Sequence, residues 1–227
     1  MDELLTAIEL TTADVPEFSV IWMHGLGADG SDFESIVPEL ALGGCPGLRF
    51  IFPHAPRIPV TCNGGFVMRA WYDIISLDSA NRTVDASGII QSRESIRRLM
   101  ARENQRGVPC SNIFIAGFSQ GGAIAYTTAL THPEPLAGVI ALSTYIPSFT
   151  LVDDEATAAN KTVPIFAAHG TEDDVVSLEL GARAKDFLIR HGYQIDWHEY
   201  AMSHSVCLDE VQDIGNWLRE LIPDTST

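Results

Sequence analysis

The sequence predicts an α/β protein with a mostly parallel central sheet, helices on both of its faces, and no large cap domain. Three observations predict it. Short apolar runs rich in β-branched and aromatic residues alternate with longer helical patterns through most of the 227 residues. That is the order produced when parallel strands are joined by helical crossovers. One such run, Asn112-Ile113-Phe114-Ile115-Ala116, passes through Gly117-Phe118-Ser119-Gln120-Gly121 into the small-residue segment 122–130, giving a buried strand, a tight turn and a helix in succession. The irregular stretches at 53–75 and 143–162 are too short to build a cap domain.

Taken in order, residues 4–10 alternate weakly and read as an edge strand. Phe18-Ser19-Val20-Ile21-Trp22-Met23 is a stronger strand, followed by the glycine-rich loop His24-Gly25-Leu26-Gly27-Ala28-Asp29-Gly30. A helix is expected next, with Ser31 or Asp32 as its N-cap. Residues 48–52 form a strand closed by Pro53. From 53 to 75 the prolines and Gly64-Gly65 argue against regular structure, yet Ile58, Val60, Phe66, Val67, Met68, Trp71 and Tyr72 make the stretch apolar, as a loop that lines a pocket or covers the core would be. Asp85 or Ser87 caps a long helix that runs to about Gln105 and stops at Gly107. Its apolar face carries Ile89, Ile96, Leu99 and Met100, with Arg93, Arg97 and Glu103 placed elsewhere. Strands follow at 136–142, 163–168 and 195–200, helices at 178–191 and 206–221, and an irregular segment at 143–161. No linker, repeat or low-complexity tract divides the chain, so residues 1–227 are expected to form one domain.

Composition narrows the function. With 46% hydrophobic residues the chain has ample material for a core, and its net charge of −16 argues against nucleic acid and against a polybasic attachment to lipid. Cys45, Cys62, Cys110 and Cys207 lie far apart without CxxC spacing and read as thiols that mostly pack. Residues 1–5 are acidic and lack the features of a signal peptide, and no apolar run reaches membrane-spanning length. The expected location is cytoplasmic.

The chemistry starts at Ser119. A serine on a tight turn between a buried strand and a helix is a nucleophile elbow, in which side chains at positions 117 and 121 would collide with neighbouring backbone. A serine hydroxyl needs an adjacent base, and on such an elbow the acid and then the histidine follow downstream. His191 ends a helix and His198 sits within a strand, whereas His204 lies on the loop before the last helix, where the base belongs. The acid comes from the loop after the 163–168 strand, where Glu172, Asp173 and Asp174 are adjacent and only one can point inward. The backbone N–H of Gln120 and one from the His24-Gly25-Leu26-Gly27 loop are candidates for an oxyanion hole. There is no GxGxxG in a suitable unit, no GxxxxGK[ST] and no HExxH cluster, so no nucleotide, metal or other cofactor is expected.

Six blocks stand in this order: Met23-His24-Gly25-Leu26-Gly27-Ala28-Asp29-Gly30; Phe52-Pro53-His54-Ala55-Pro56; Met68-Arg69-Ala70-Trp71-Tyr72-Asp73-Ile74; Gly117-Phe118-Ser119-Gln120-Gly121-Gly122; His169-Gly170-Thr171-Glu172-Asp173; and Ser203-His204-Ser205. Together they resemble the phospholipase/carboxylesterase family of small α/β-hydrolases, which includes acyl-protein thioesterases and bacterial carboxylesterases. The resemblance implies Ser119 as nucleophile, Asp173 as acid and His204 as base. It implies the N–H groups of Leu26 and Gln120 as the oxyanion hole, and Met68, Trp71 and Val176 as substrate-binding residues. Two positions depart from the family pattern: Asp174 stands where proline is common after the acid, and Ser203 where glycine usually precedes the histidine. The implied activity is hydrolysis of short- to medium-chain acyl esters through an acyl-enzyme. The alternative is a thioesterase or lysophospholipase acting on long acyl chains, and the remote one a non-catalytic binding protein of the same fold. The implied partner is a small-molecule or lipid ester or thioester. Exposed apolar loops are compatible with a homodimer.

Overall fold

The computed structural model describes residues 4–77 and 82–223. The acidic residues 1–3, part of the N-terminal reading above, lie outside the described residues. Seven strands form one sheet: β1 (Ala7–Thr11), β2 (Phe18–Met23), β3 (Leu48–Pro53), β8 (Ile113–Phe118), β9 (Gly138–Leu142), β10 (Ile165–Gly170) and β11 (Ile195–Tyr200), in the order β1-β3-β2-β8-β9-β10-β11. Only β1 runs antiparallel, pairing with β3, and the other neighbours are parallel.

Because successive strand residues point to opposite faces, the apolar strands feed two separate cores. Ile21, Met23, Ile51, Ile113, Ile115, Ala141, Ile165 and Ala167 pack on one face with residues of α1 (Ala86–Gln105), α2 (Gln120–Leu130) and α4 (Leu178–Arg190). Val20, Trp22, Phe50, Phe52, Phe114, Ile140 and Phe166 pack on the other, against Val211, Ile214, Trp217 and Leu218 of α5 (Leu208–Leu221). This is the α/β-hydrolase fold, with helices on both faces of a mostly parallel sheet.

Three expectations are corrected. The helix expected after Gly30 is replaced by three short 3-10 turns, Gly30–Asp32, Glu34–Ile36 and Pro38–Leu40, with Asp29 as the N-cap of the first. The segment is held residue by residue from outside: Phe33 stacks on Trp22, and Arg219 donates to the carbonyls of Leu40 and Ala41. The stretch 53–75 contains a hairpin, β4 (Arg57–Val60) paired with β5 (Phe66–Arg69), followed by β6 (Ile74–Leu77) paired with β7 (Arg82–Val84). Pro59 is accommodated because a two-stranded ribbon has only edge strands, where a missing N–H can face outward. Within 143–161 a short helix, α3 (Phe149–Glu155), is capped by Ser148. Off the apolar face of α1, Arg93 and Glu103 are nevertheless buried. Arg93 pairs with Glu155, and the Glu103 carboxylate accepts from Ser19 Oγ at 2.8 Å and Arg49 at 2.6 Å.

Candidate active site

All the site elements converge at the C-terminal ends of β2, β8 and β10 and on the loop after β11, where open α/β sheets bind ligands. Ser119 sits between β8 and α2 with φ 55° and ψ −119°, a conformation that costs energy for a residue with a side chain. Three contacts hold it there. Ser119 N donates to Leu142 O at 2.8 Å, Thr144 Oγ1 donates to Ser119 O at 2.6 Å, and the flanking glycines admit close backbone. A Cβ on Gly121 would lie 2.3 Å from Met23 O, and one on Gly117 would lie 2.3 Å from the Gly121 carbonyl carbon.

His204 Nε2 lies 2.9 Å from Ser119 Oγ, and its Nδ1 lies 2.7 Å from Asp173 Oδ2. The three residues expected to act together are therefore in one hydrogen-bonded line. Of the three adjacent acids only Asp173 is buried, and Glu172 and Asp174 are exposed. Burial opposes ionisation of Asp173. The hydrogen bonds from His204 and from the N–H groups of Val176 and Val175 outweigh that, and the carboxyl is held below its ordinary value. His169 closes the same loop, its Nε2 meeting Val176 O at 2.7 Å and standing 3.6 Å from Asp173 Oδ2. Burial holds His169 below the ordinary imidazole value.

Gln120 begins α2, so its N–H is among the helix-terminal donors without an intrahelical partner. Its side chain braces the neighbouring loop, accepting from Trp71 N at 2.8 Å and donating to Tyr72 O at 2.7 Å. The Gly25-Leu26 backbone passes close to the serine: a Cβ on Gly25 would be 3.5 Å from Ser119 Cβ. His24 fixes that loop from within, accepting from Ala55 N at Nε2 and meeting Gly25 O at Nδ1.

Beside Ser119 opens a cleft of about 220 Å³, lined by Leu26, Ile74, Phe118, Tyr145, Val175 and Arg82 among others. The expected binding residues sit around it differently. Trp71 is buried behind the loop, its indole N–H donating to His24 O at 2.9 Å. Val176 is buried against Asp173, and its neighbour Val175 lines the cleft instead. Met68 lies on β5 with its sulfur 3.8 Å from where a Gly27 Cβ would stand. Thr144, Tyr145 and Arg82 were not singled out in the sequence. The Arg82 guanidinium lies 5.0 Å above the Tyr145 ring and donates to Val175 O, and Tyr145 and Tyr72 share a 2.8 Å hydrogen bond between hydroxyls. These partners are 63 to 93 residues apart, so no local pattern announces them.

A strained serine at the elbow of a parallel sheet, within reach of a histidine that meets a buried carboxylate, defines a serine hydrolase of the α/β-hydrolase class. The chain belongs to the phospholipase/carboxylesterase family, which it matches over residues 10–222. It is 36% identical over 224 residues to acyl-protein thioesterase 1 of Mycosarcoma maydis, with 92% of each chain covered. With acyl-protein thioesterase 1 of Neurospora crassa it shares 39% identity over 214 residues, covering 90% of this chain and 87% of that one. Among solved structures, Arabidopsis thaliana SOBER1 superposes with a TM-score of 0.83 at 30% identity, covering 90% of this chain and 98% of that one. Among the described residues no helix is long and apolar enough to cross a membrane.

Proposed function

We propose that this protein hydrolyses acyl esters of short to medium chain length through an acyl-enzyme on Ser119. The observation that carries the proposal is the Ser119–His204–Asp173 line of hydrogen bonds at 2.9 and 2.7 Å, opening on an apolar cleft. His204 Nε2 takes the Ser119 proton as Oγ attacks the carbonyl carbon. The N–H groups of Leu26 and Gln120 receive the oxyanion, and Asp173 holds the imidazole in the tautomer with Nδ1–H and balances the imidazolium. His204 then gives the proton to the leaving alcohol or thiol. In the second half it deprotonates a water that releases the acid.

The cleft supports the chain length. Leu26, Ile74, Phe118, Tyr145 and Val175 wall a cleft of only about 220 Å³ beside Ser119, which suits a modest acyl chain. A second reading, removal of long acyl chains from proteins, is favoured by a different observation: relatives 36–39% identical carry the name acyl-protein thioesterase 1. A long chain would then extend beyond the cleft along the β4–β5 hairpin, where Phe66 and Val67 are exposed.

The test is kcat/KM on p-nitrophenyl esters and matched acyl thioesters of increasing length, with Ser119→Ala as the blank. A maximum at short or medium chains, followed by a steep fall, is expected from a cleft of this size. A rate that rises out to long chains would replace it with the thioesterase reading. Turnover surviving in Ser119→Ala would overturn both.

A further inference from the structure

A cluster unrelated to the active site gathers at the opposite end of β8. Cys110 Sγ lies 3.5 Å from His132 Nε2, and a carboxylate oxygen of Glu134 falls within 4.8 Å of both. The Asn104 side-chain amide lies 3.2 Å from the same sulfur. Cys110 and His132 are buried, and Glu134 is exposed at the rim. We propose that Cys110, His132 and Glu134 form a structural zinc site that pins the turn leading into β8 to the segment that follows α2.

The spacing fits the ion. Zinc sits about 2.3 Å from thiolate sulfur and about 2.0 Å from imidazole nitrogen in tetrahedral sites, which sets those two ligands about 3.5 Å apart. Without the ion the Cys110 thiol is hydrogen-bonded among His132, Asn104 and the Glu134 carboxylate, so all three candidate ligand atoms already face one point and the metal would take the place of the thiol proton. The charges also balance: a thiolate and a carboxylate neutralise one divalent cation. Thiolate with imidazole selects a borderline-soft metal such as zinc over magnesium or calcium. The fourth position falls to water or to the Asn104 amide oxygen.

The ligands are held in advance. The buried Asn160 side chain donates to both His132 O and Glu134 O at 2.9 Å and accepts from Leu136 N at 2.9 Å. Thr157 Oγ1 adds a 2.5 Å bond to His132 O. Ligands fixed on such a frame lose little freedom when a metal binds. The sequence hid the site because Cys110 and His132 stand 22 residues apart on different elements, with none of the short spacings that mark zinc motifs. The six-residue strand β8, at about 3.3 Å per residue, places it roughly 20 Å from Ser119. The metal therefore serves the scaffold and stays out of the reaction.

The test uses the full-length protein stripped with EDTA and titrated with Co²⁺ as a spectroscopic substitute for zinc. The expected result is one saturating equivalent with a near-ultraviolet thiolate-to-cobalt absorption band, displaced by Zn²⁺. That band should vanish in Cys110→Ser. Glu134→Gln, at an exposed position, should weaken binding by at least about tenfold, since even outer-sphere losses cost metal sites that much. Zn²⁺ should raise Tm in the parent and not in Cys110→Ser, while ester hydrolysis stays unchanged with or without metal. Absence of a one-equivalent site, or a cobalt band that survives Cys110→Ser, overturns the proposal.

Discussion

Asp173 and Asp174 are neighbours of identical chemistry in different surroundings. Only the first is buried against His204 and two backbone N–H groups. Asp173→Asn keeps the shape but offers an amide to Nδ1–H, which favours the wrong tautomer. It is expected to lower kcat by about 10⁴-fold, as such changes do in serine hydrolases, whereas Asp174→Asn should leave kcat/KM within about twofold because exposed substitutions away from a site do little. Steady-state kinetics on one p-nitrophenyl ester decides it, and the reverse ranking would move the acid by one residue. The order of serine, acid and histidine was legible because each stands on a loop after a recognisable strand. Which acid turns inward was not legible from the residues alone, since that depends on where Val175 and Val176 point their N–H groups. Glu103 was illegible for a similar reason. On a helical pattern, with Arg106 three residues on, it reads as a solvated charge, yet Ser19 and Arg49, which share its buried oxygen, are 84 and 54 residues away. Removing it leaves Arg49 beside an emptied pocket, so Glu103→Ala should cost about 3–5 kcal/mol in denaturant unfolding.

Among the elements, the β8–turn–α2 unit does most to fix function, and its glycines were legible as steric necessities. Gly121 makes the point quantitatively. Its Cβ would stand 2.3 Å from Met23 O and 2.6 Å from His24 O, so an added methyl must push the start of α2 away from β2. That displacement moves the Gln120 N–H relative to the Leu26 loop. Gly121→Ala is expected to lose about 1–3 kcal/mol of stability, as overpacking does, together with a fall in kcat that exceeds any rise in KM. Circular dichroism melts and ester kinetics on the same preparation would show both. A variant that loses stability with unchanged kcat would mean the two donors are not set by that contact. Elsewhere the pattern misled. Residues 30–40 look helical, but Pro38 removes a donor and Gly30 is pressed so close to Phe52 O that a Cβ would stand 2.3 Å away. The chain settles into separate 3-10 turns because contacts to Trp22, Phe118 and Arg219 pin it piecewise. Tertiary contacts of that kind leave no periodic trace.

At the scale of the molecule, two buried titratable groups on different elements set opposing pH dependences. Burial lowers His24 from 6.5 to about 4, against the pull of Gly25 O, and the neutral ring accepts from Ala55 N at Nε2. Between those values the unfolded chain binds a proton that the native one refuses, so stability falls as pH drops from 6.5 towards 4, by on the order of 3 kcal/mol. Glu210 lies buried near the start of α5, and burial pushes its carboxyl from 4.5 up to about 8. Here the native state keeps a proton that the unfolded chain gives up, so stability falls as pH rises from 4.5 through 8. The two slopes oppose each other between 4.5 and 6.5 and leave a broad shoulder. Above 6.5 only the Glu210 slope remains, in a chain whose net charge of −16 already favours expansion. Unfolding free energy should therefore decline from pH 6.5 to 8 in the parent protein. Glu210→Gln, which carries no titrating proton, should be the more stable form at pH 8 and show a flatter profile over that interval. Urea titrations of both proteins at pH 5, 6.5 and 8 measure it. Parallel declines would assign the slope to the general negative charge, because a carboxyl that stays ionised in the native state contributes nothing to the difference.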